Sequence, residues 1–194
     1  MNKKIEYFEE SVKRHIEMAN NVLNNQADKL VQIADMISDS LRNDRCVFVC
    51  GNGGSAADAQ HIVGELVGRF AGDRRGLAAV ALSTDTSVMT SIANDFGFDE
   101  VFSRQIEGLA KKGDVLWALS TSGNSANIIK AVQIAKQKGV RIIGFTGKQK
   151  SLLEQLSDLC FCAPAKTSFR SQEIHQLAYH IICGLVDNEF CNNN

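Results

Sequence analysis

No stretch of this sequence approaches the ~18 consecutive apolar residues that would cross a bilayer. The N-terminal run MNKKIEYFEESVKRHIEMANNVL lacks the unbroken apolar segment of a signal peptide. Neither charge sign is in excess: 21 Lys and Arg stand against 22 Asp and Glu, for a formal net charge of -1. Such a chain has no basic field to draw nucleic acid or an acidic membrane surface, so neither is expected as a partner, and a cytoplasmic location is expected. No Cys-x-x-Cys pair occurs among the cysteines at 46, 50, 160, 162, 183 and 191. Their apolar surroundings favour buried reduced thiols over redox or metal use. Linkers, repeats and low-complexity tracts are also missing, which leaves one domain over 1–194 as the expectation, with the NNN tail frayed.

What is present is an ordinary globular composition, 44% hydrophobic and 22% charged, arranged with clear periodicity. Ile5, Phe8, Val12, Ile16, Ala19 and Leu23 recur every three or four residues. Leu30, Ile33, Ile37 and Leu41 do so again after the polar NNQAD break. These spacings predict two amphipathic helices in residues 1–44, ahead of an α/β core at 45–194. A helix before the first strand crosses over no sheet, so its apolar stripe must cover the domain's own flank or a second subunit.

From there short apolar runs alternate with helical stretches. CVFVC (46–50), AAVAL (78–82), VLWAL (115–119), VRIIGF (140–145) and LCFCA (159–163) read as buried parallel strands. Helices are predicted over 55–68, near 100–110, and over 125–138, 151–156 and 170–190. The alternation predicts an α/β three-layer sandwich around a mostly parallel five-stranded sheet, with ligands beyond the carboxyl ends of the strands. The loops after Cys50, Leu82 and Leu119 should share that rim.

Two of those loops carry chemistry. Gly51-Asn52-Gly53-Gly54-Ser55 follows a strand and opens a helix, so backbone N–H groups can approach an anion at the helix's positive end. A plain tight turn is the alternative, and the partial match to a dinucleotide fingerprint is weak because no ribose-binding acid is placed after the second strand. His61 and Glu65, four residues apart, share one face of the following helix. They can hold a metal, set a base beside a substrate, or simply be solvated. Ser120-Thr121-Ser122-Gly123-Asn124-Ser125 again joins a strand to a helix and offers hydroxyl donors without fixed charge, which suits a sugar phosphate. In the last helix Gln172 and His180 are eight residues, or roughly 12 Å, apart. Either Gln172 sits at the helix entrance, or a complete site takes one of the two from a neighbouring subunit. His15 and His175 carry no comparable context.

Taken together, CGNGGSAADAQH with Glu65, SIANDFGFDEVFSRQ, STSGNSANIIKA and RSQEIHQLAYHI resemble the sugar isomerase (SIS) domain family over nearly the whole chain. The nearest resemblance is to its branch acting on sedoheptulose 7-phosphate. That resemblance implies a ketose–aldose isomerase feeding activated heptose into bacterial surface polysaccharide, and a homotetramer with sites at subunit contacts. It also implies a zinc ion on His61, Glu65, Gln172 and His180. Substrate contacts are implied at Asn52, Gly53, Gly54, Ser55, Glu65, Asn94, Asp95, Ser120, Thr121, Ser122, Ser125 and Gln172. Glu65 would be the general base and His180 the general acid. One departure is visible: where members often carry an aspartate before Arg-x-Gln-Glu, this chain has Thr167, Ser168 and Phe169. The family also includes a non-catalytic scaffold that binds the replication initiator, and a sugar-phosphate sensor is a third reading. Both would dispense with the acid–base pair that Glu65 and His180 supply.

Overall fold

The computed structural model describes residues 2–191; the 192–194 tail, expected to fray, lies outside the described residues. Five strands form one parallel sheet: β1 (Val47–Gly51), β2 (Ala79–Ala81), β3 (Val115–Ser120), β4 (Arg141–Thr146) and β5 (Leu159–Cys162), in the order β2-β1-β3-β4-β5. Alternation along the strands sends side chains to two separate cores. Val47, Val49, Val115, Trp117, Leu119, Ile143 and Phe145 face one layer. Phe48, Cys50, Leu116, Ala118 and Ile142 face the other.

The first core is closed by α2 (Ala27–Arg42), α3 (Gly54–Val67) and α8 (Ser168–Cys191). On the second face lie α5 (Ser103–Leu109), α6 (Ala126–Gln137) and the short α7 (Leu152–Leu156). The three-layer α/β sandwich is thus as expected, and strand limits differ from the predicted ones by a residue or two. Two expectations need correction. The second and fifth apolar runs are edge strands rather than fully buried ones: β2 pairs only with β1 and leaves Val80 exposed, and β5 pairs only with β4 and fully buries Phe161 alone. A helix not foreseen, α4 (Thr86–Phe96), follows it, capped by the Asp85 carboxylate, which accepts from Val88 N–H at 2.9 Å.

The two leading helices have different fates. In α2, Leu30, Ile33, Ala34, Ile37 and Leu41 are buried, so its stripe covers the domain's own flank and it serves as a core layer. In α1 (Lys3–Asn25) Val22 alone is buried, while Ile5, Phe8 and Leu23 are 50%, 65% and 70% exposed. All six cysteines are free. Burial pushes Cys46 up to about 11 and Cys160 and Cys183 up to about 12, which keeps those thiols protonated and unreactive at neutral pH.

Candidate active site

β1 and β3 pair in parallel with Gly51 beside Leu119, so the loops that follow them emerge side by side. The sequence expects that rim, and a pair of amides ties it together. Asn52 Nδ2 donates to Asn127 Oδ1 and Asn127 Nδ2 donates back to Asn52 Oδ1, both at 2.9 Å. Asn127, buried in the first turn of α6, therefore fixes the glycine loop from the hydroxyl loop's own helix. Gly53 and Gly54 are exposed at the start of α3. Ser55 is buried beneath them, and its N–H closes a turn onto the Asn52 carbonyl at 3.0 Å.

In the second loop the hydroxyls of Ser120, Ser122 and Ser125 converge. Ser120 Oγ lies 3.3 Å from Ser122 Oγ and 3.0 Å from Ser125 Oγ. Thr121 anchors the loop, its carbonyl accepting from Gly147 N–H at 3.0 Å. Gly123 sits at φ 66°, where a side chain is strained, and a Cβ there would fall 2.3 Å from Ser151 Oγ. Only glycine fits that turn.

A cluster of His61, Glu65 and His180 stands where α3 meets α8. His61 Nε2 is 2.9 Å from Glu65 Oε1 and 3.4 Å from His180 Nε2. Ligand atoms of these three residues all lie within 4.8 Å of one another. Zinc–ligand bonds of ~2.0–2.1 Å put neighbouring tetrahedral donors about 3.3 Å apart, so two imidazoles and a carboxylate in this arrangement fit such a cation with one position left open. Two Nε2 atoms facing each other at 3.4 Å cannot both carry protons comfortably, and a shared cation removes that conflict. Partial burial and then the neighbouring His61 push His180 below its ordinary value, against Glu65, which makes its imidazolium the stronger acid.

Around this cluster are groups that the sequence did not single out. Tyr179, fully buried, brings its hydroxyl within 2.9 Å of His61 Nδ1. Burial, reinforced by Asp58, pushes that phenol up, so it stays neutral. Burial pushes the Asp58 carboxyl up to about 6 against the pull of His61, and its Oδ2 has no hydrogen-bond partner among the described residues. At the far end of α3, Arg74 donates from Nη2 to the Glu65 carbonyl at 2.8 Å, from Nη1 to the Leu66 carbonyl at 2.9 Å, and from Nε to Asp187 Oδ1 at 2.7 Å. Asp187 Oδ2 accepts in turn from Gly72 N–H at 2.8 Å. Burial pushes Asp187 up, but these N–H donors and the guanidinium outweigh it and hold the carboxyl below its usual range. The turn bearing Glu65 is thereby fastened to α8.

Not every expected residue joins the cluster. Gln172 lies inside α8, not at its entrance, and its amide abuts the glycine loop: a Cβ on Gly54 would fall 2.5 Å from Gln172 Nε2. Two helical turns, roughly 12 Å, separate it from His180. Within one chain it therefore does not complete the His61–Glu65–His180 set. Asn94 and Asp95 sit exposed near the end of α4, bonded to each other at 2.8 Å, about 14 Å of helix beyond the Asp85 cap. Thr167, Ser168 and Phe169 are exposed, and Phe169 carries the Arg170 guanidinium 5.2 Å above its ring. His175, read from the sequence as an ordinary polar or partly buried histidine, is instead fully buried with Nε2 3.2 Å from the Thr146 carbonyl, and burial pushes it down to about 4.

One rim of a five-stranded parallel sheet carries a glycine-rich and a hydroxyl-rich loop, a histidine–glutamate cluster stands on α3 and α8, and the family that shares this α/β plan is that of the sugar isomerase (SIS) domains. The SIS domain model matches residues 7–147, and the chain belongs to that family. Within it, the chain is similar to proteins named phosphoheptose isomerase. One from Nitratiruptor sp. is 51% identical over 152 residues, 78% of this chain and 81% of that protein. Another, from Aliarcobacter butzleri, is 45% identical over 90% of this chain and 93% of its own length. The structure of phosphoheptose isomerase from Neisseria gonorrhoeae superposes with a TM-score of 0.89 at 39% identity, covering 94% of this chain and 98% of that one.

Proposed function

We propose that this chain is a phosphoheptose isomerase, converting sedoheptulose 7-phosphate to D-glycero-D-manno-heptose 7-phosphate. The observation that carries the reading is the meeting of Glu65 and His180, from two helices, around His61 and beside two anion-type loops. A ketose becomes an aldose when a base removes a proton from C1, an acid protonates the C2 oxygen to give an enediol, and a proton then returns to C2 as O1 becomes the carbonyl. Glu65 takes the C1 proton and returns one to C2. His180 supplies the proton at O2 and recovers one from O1. Gly53, Gly54 and the hydroxyls of Ser120, Thr121, Ser122 and Ser125 receive the phosphate and neighbouring hydroxyls, with Asn52 held in place by Asn127.

Zinc held by His61, Glu65 and His180 would polarise the sugar carbonyl and spread the charge of the enediol. Gln172 contacts substrate at the glycine loop, and completes a zinc set only if two subunits share a site. We place the enzyme in the cytoplasm as a homotetramer, with Asn94 and Asp95 reaching a neighbouring subunit's site. The exposed apolar stripe of α1 supports that assembly, and the product would enter activated heptose synthesis for surface polysaccharide.

The direct test is proton NMR of sedoheptulose 7-phosphate in deuterated water, with and without Zn²⁺. An aldoheptose phosphate bearing deuterium at C2 is the expected product. No conversion by a folded oligomer in either sample would sink the isomerase reading in favour of a scaffold or sensor.

A further inference from the structure

We propose that Tyr179 is a positioning residue for His61, its phenol holding the imidazole so that Nε2 is turned onto Glu65 and His180. The inference rests on the reading of His61, Glu65 and His180 as one working cluster. The His61 side chain is 42% exposed, enough that an imidazole without fixed partners would rotate between rotamers. Three contacts of known geometry stop it: the Tyr179 hydroxyl at 2.9 Å from Nδ1, and Glu65 and His180 on the Nε2 side. Tyr179 is itself immobile, with its ring buried in the core beneath α3 and edge-on to His61 at 5.4 Å between centroids. The exposed ring is thus indexed to a rigid one.

The choice of a phenol has chemical content. A neutral imidazole donates from one nitrogen and accepts at the other. With Nε2–H donating to Glu65, Nδ1 must accept, and the phenol donates to it. With the Nε2 lone pair committed to a cation, Nδ1 carries the hydrogen, and the phenol oxygen accepts it. A carboxylate could serve only the second state, whereas a hydroxyl serves both. In the second state the phenol hydrogen needs a new acceptor, and the half-buried Asp58, one turn before His61 on α3, has a buried Oδ2 without a partner among the described residues. Tyr179 therefore lets His61 change tautomer as the site loads, without the ring moving.

The test uses the full-length protein and its Tyr179→Phe variant, which keeps the buried ring and removes only the hydroxyl. In metal-free wild type, ¹⁵N-detected NMR of His61 should show two well-separated nitrogen shifts, pyrrole-like at Nε2 and pyridine-like at Nδ1. In the variant the two should draw together as the tautomers mix. Zn²⁺ affinity, measured against a chromophoric chelator, should fall ten- to a hundredfold, while the melting temperature of the metal-free protein stays close to wild type. Averaged nitrogen shifts already in the wild type, shifts unchanged in the variant, or Zn²⁺ affinity within twofold of wild type would each overturn the proposal. Neither readout uses the sugar, so failure of the wild type to isomerise sedoheptulose 7-phosphate would remove the proposed function and leave this inference to stand or fall alone.

Discussion

The two longest helices, α1 with 23 residues and α8 with 24, meet opposite fates. In α1 the apolar positions fall into one stripe that stays mostly in solvent, with Val22 and Met18 alone packed on the core. Alpha8 is buried on several sides and carries Gln172, His175, Tyr179, His180 and Asp187 to separate tasks along its length. A regular stripe alone does not say what covers it, since α2 carries one into the core and α1 leaves most of its own in solvent, whereas the irregular mixture of apolar and polar residues in α8 marks a helix that meets several elements at once. Covering an Ile, Phe or Leu side chain contributes about 1.5–3 kcal/mol, so an assembly that buries Ile5, Phe8 and Leu23 gains more than most single contacts inside the domain.

Substitutions along the two helices can break that contrast. The largest expected effect is at His180: His180→Gln should lower turnover by ~10²–10⁴ while the melting temperature hardly changes, as read by steady-state rates and calorimetry. Next is Asp187→Ala, which leaves the buried Arg74 guanidinium unpaired and should cost about 3–5 kcal/mol by denaturant unfolding. His175 sharpens the comparison through pH. Its folded value of about 4 lies below the ordinary 6.5, so the unfolded chain takes up the proton first. Its contribution is complete above pH ~6.5 and drains away as pH falls towards 4, by on the order of 3 kcal/mol, and His175→Gln should flatten that part of the stability–pH curve.

Asn127→Ala, which frees the Asn52 amide, should cost about 1–3 kcal/mol and raise KM for the sugar phosphate more than it lowers kcat. The smallest intrinsic effect belongs to α1. Phe8→Glu with Ile16→Glu should change the isolated subunit's stability by only ~0.5 kcal/mol. It should nevertheless lower the oligomer's mass by light scattering and remove any dependence of melting temperature on protein concentration. An unchanged mass would mean that the stripe on α1 has no partner.

All five strands were legible because β-branched and aromatic residues cluster in short runs bounded by glycine or polar residues. What a strand's composition does not tell is its place in the sheet, and so β2 and β5 read as buried when they are edges. Helix α4 was missed because Thr86, Ser87, Thr90 and Ser91 interrupt its apolar positions, and it buries no residue fully. At the site, the i, i+4 pair His61 and Glu65 was visible as a local spacing, and His180 by resemblance. Tyr179, Arg74 with Asp187, and Asn127 were not, since their contacts bridge 118, 113 and 75 residues. Asp58 lies one turn from His61, yet a carboxylate on a helix reads as solvated until burial is known.

The Arg74–Asp187 clamp has a consequence for how the molecule comes into being. Alpha8 follows all five strands in chain order, so a nascent polypeptide can complete its sheet while Arg74 still lacks its counter-ion and the core shared by α2, α3 and α8 is only partly covered. Until residue 187 is in place, the turn bearing Glu65 lacks the buried ion pair that fastens it to α8, and the contacts of Tyr179 and His180 to His61 come from the same late helix. Competence then arrives late and all at once, with the docking of a single helix.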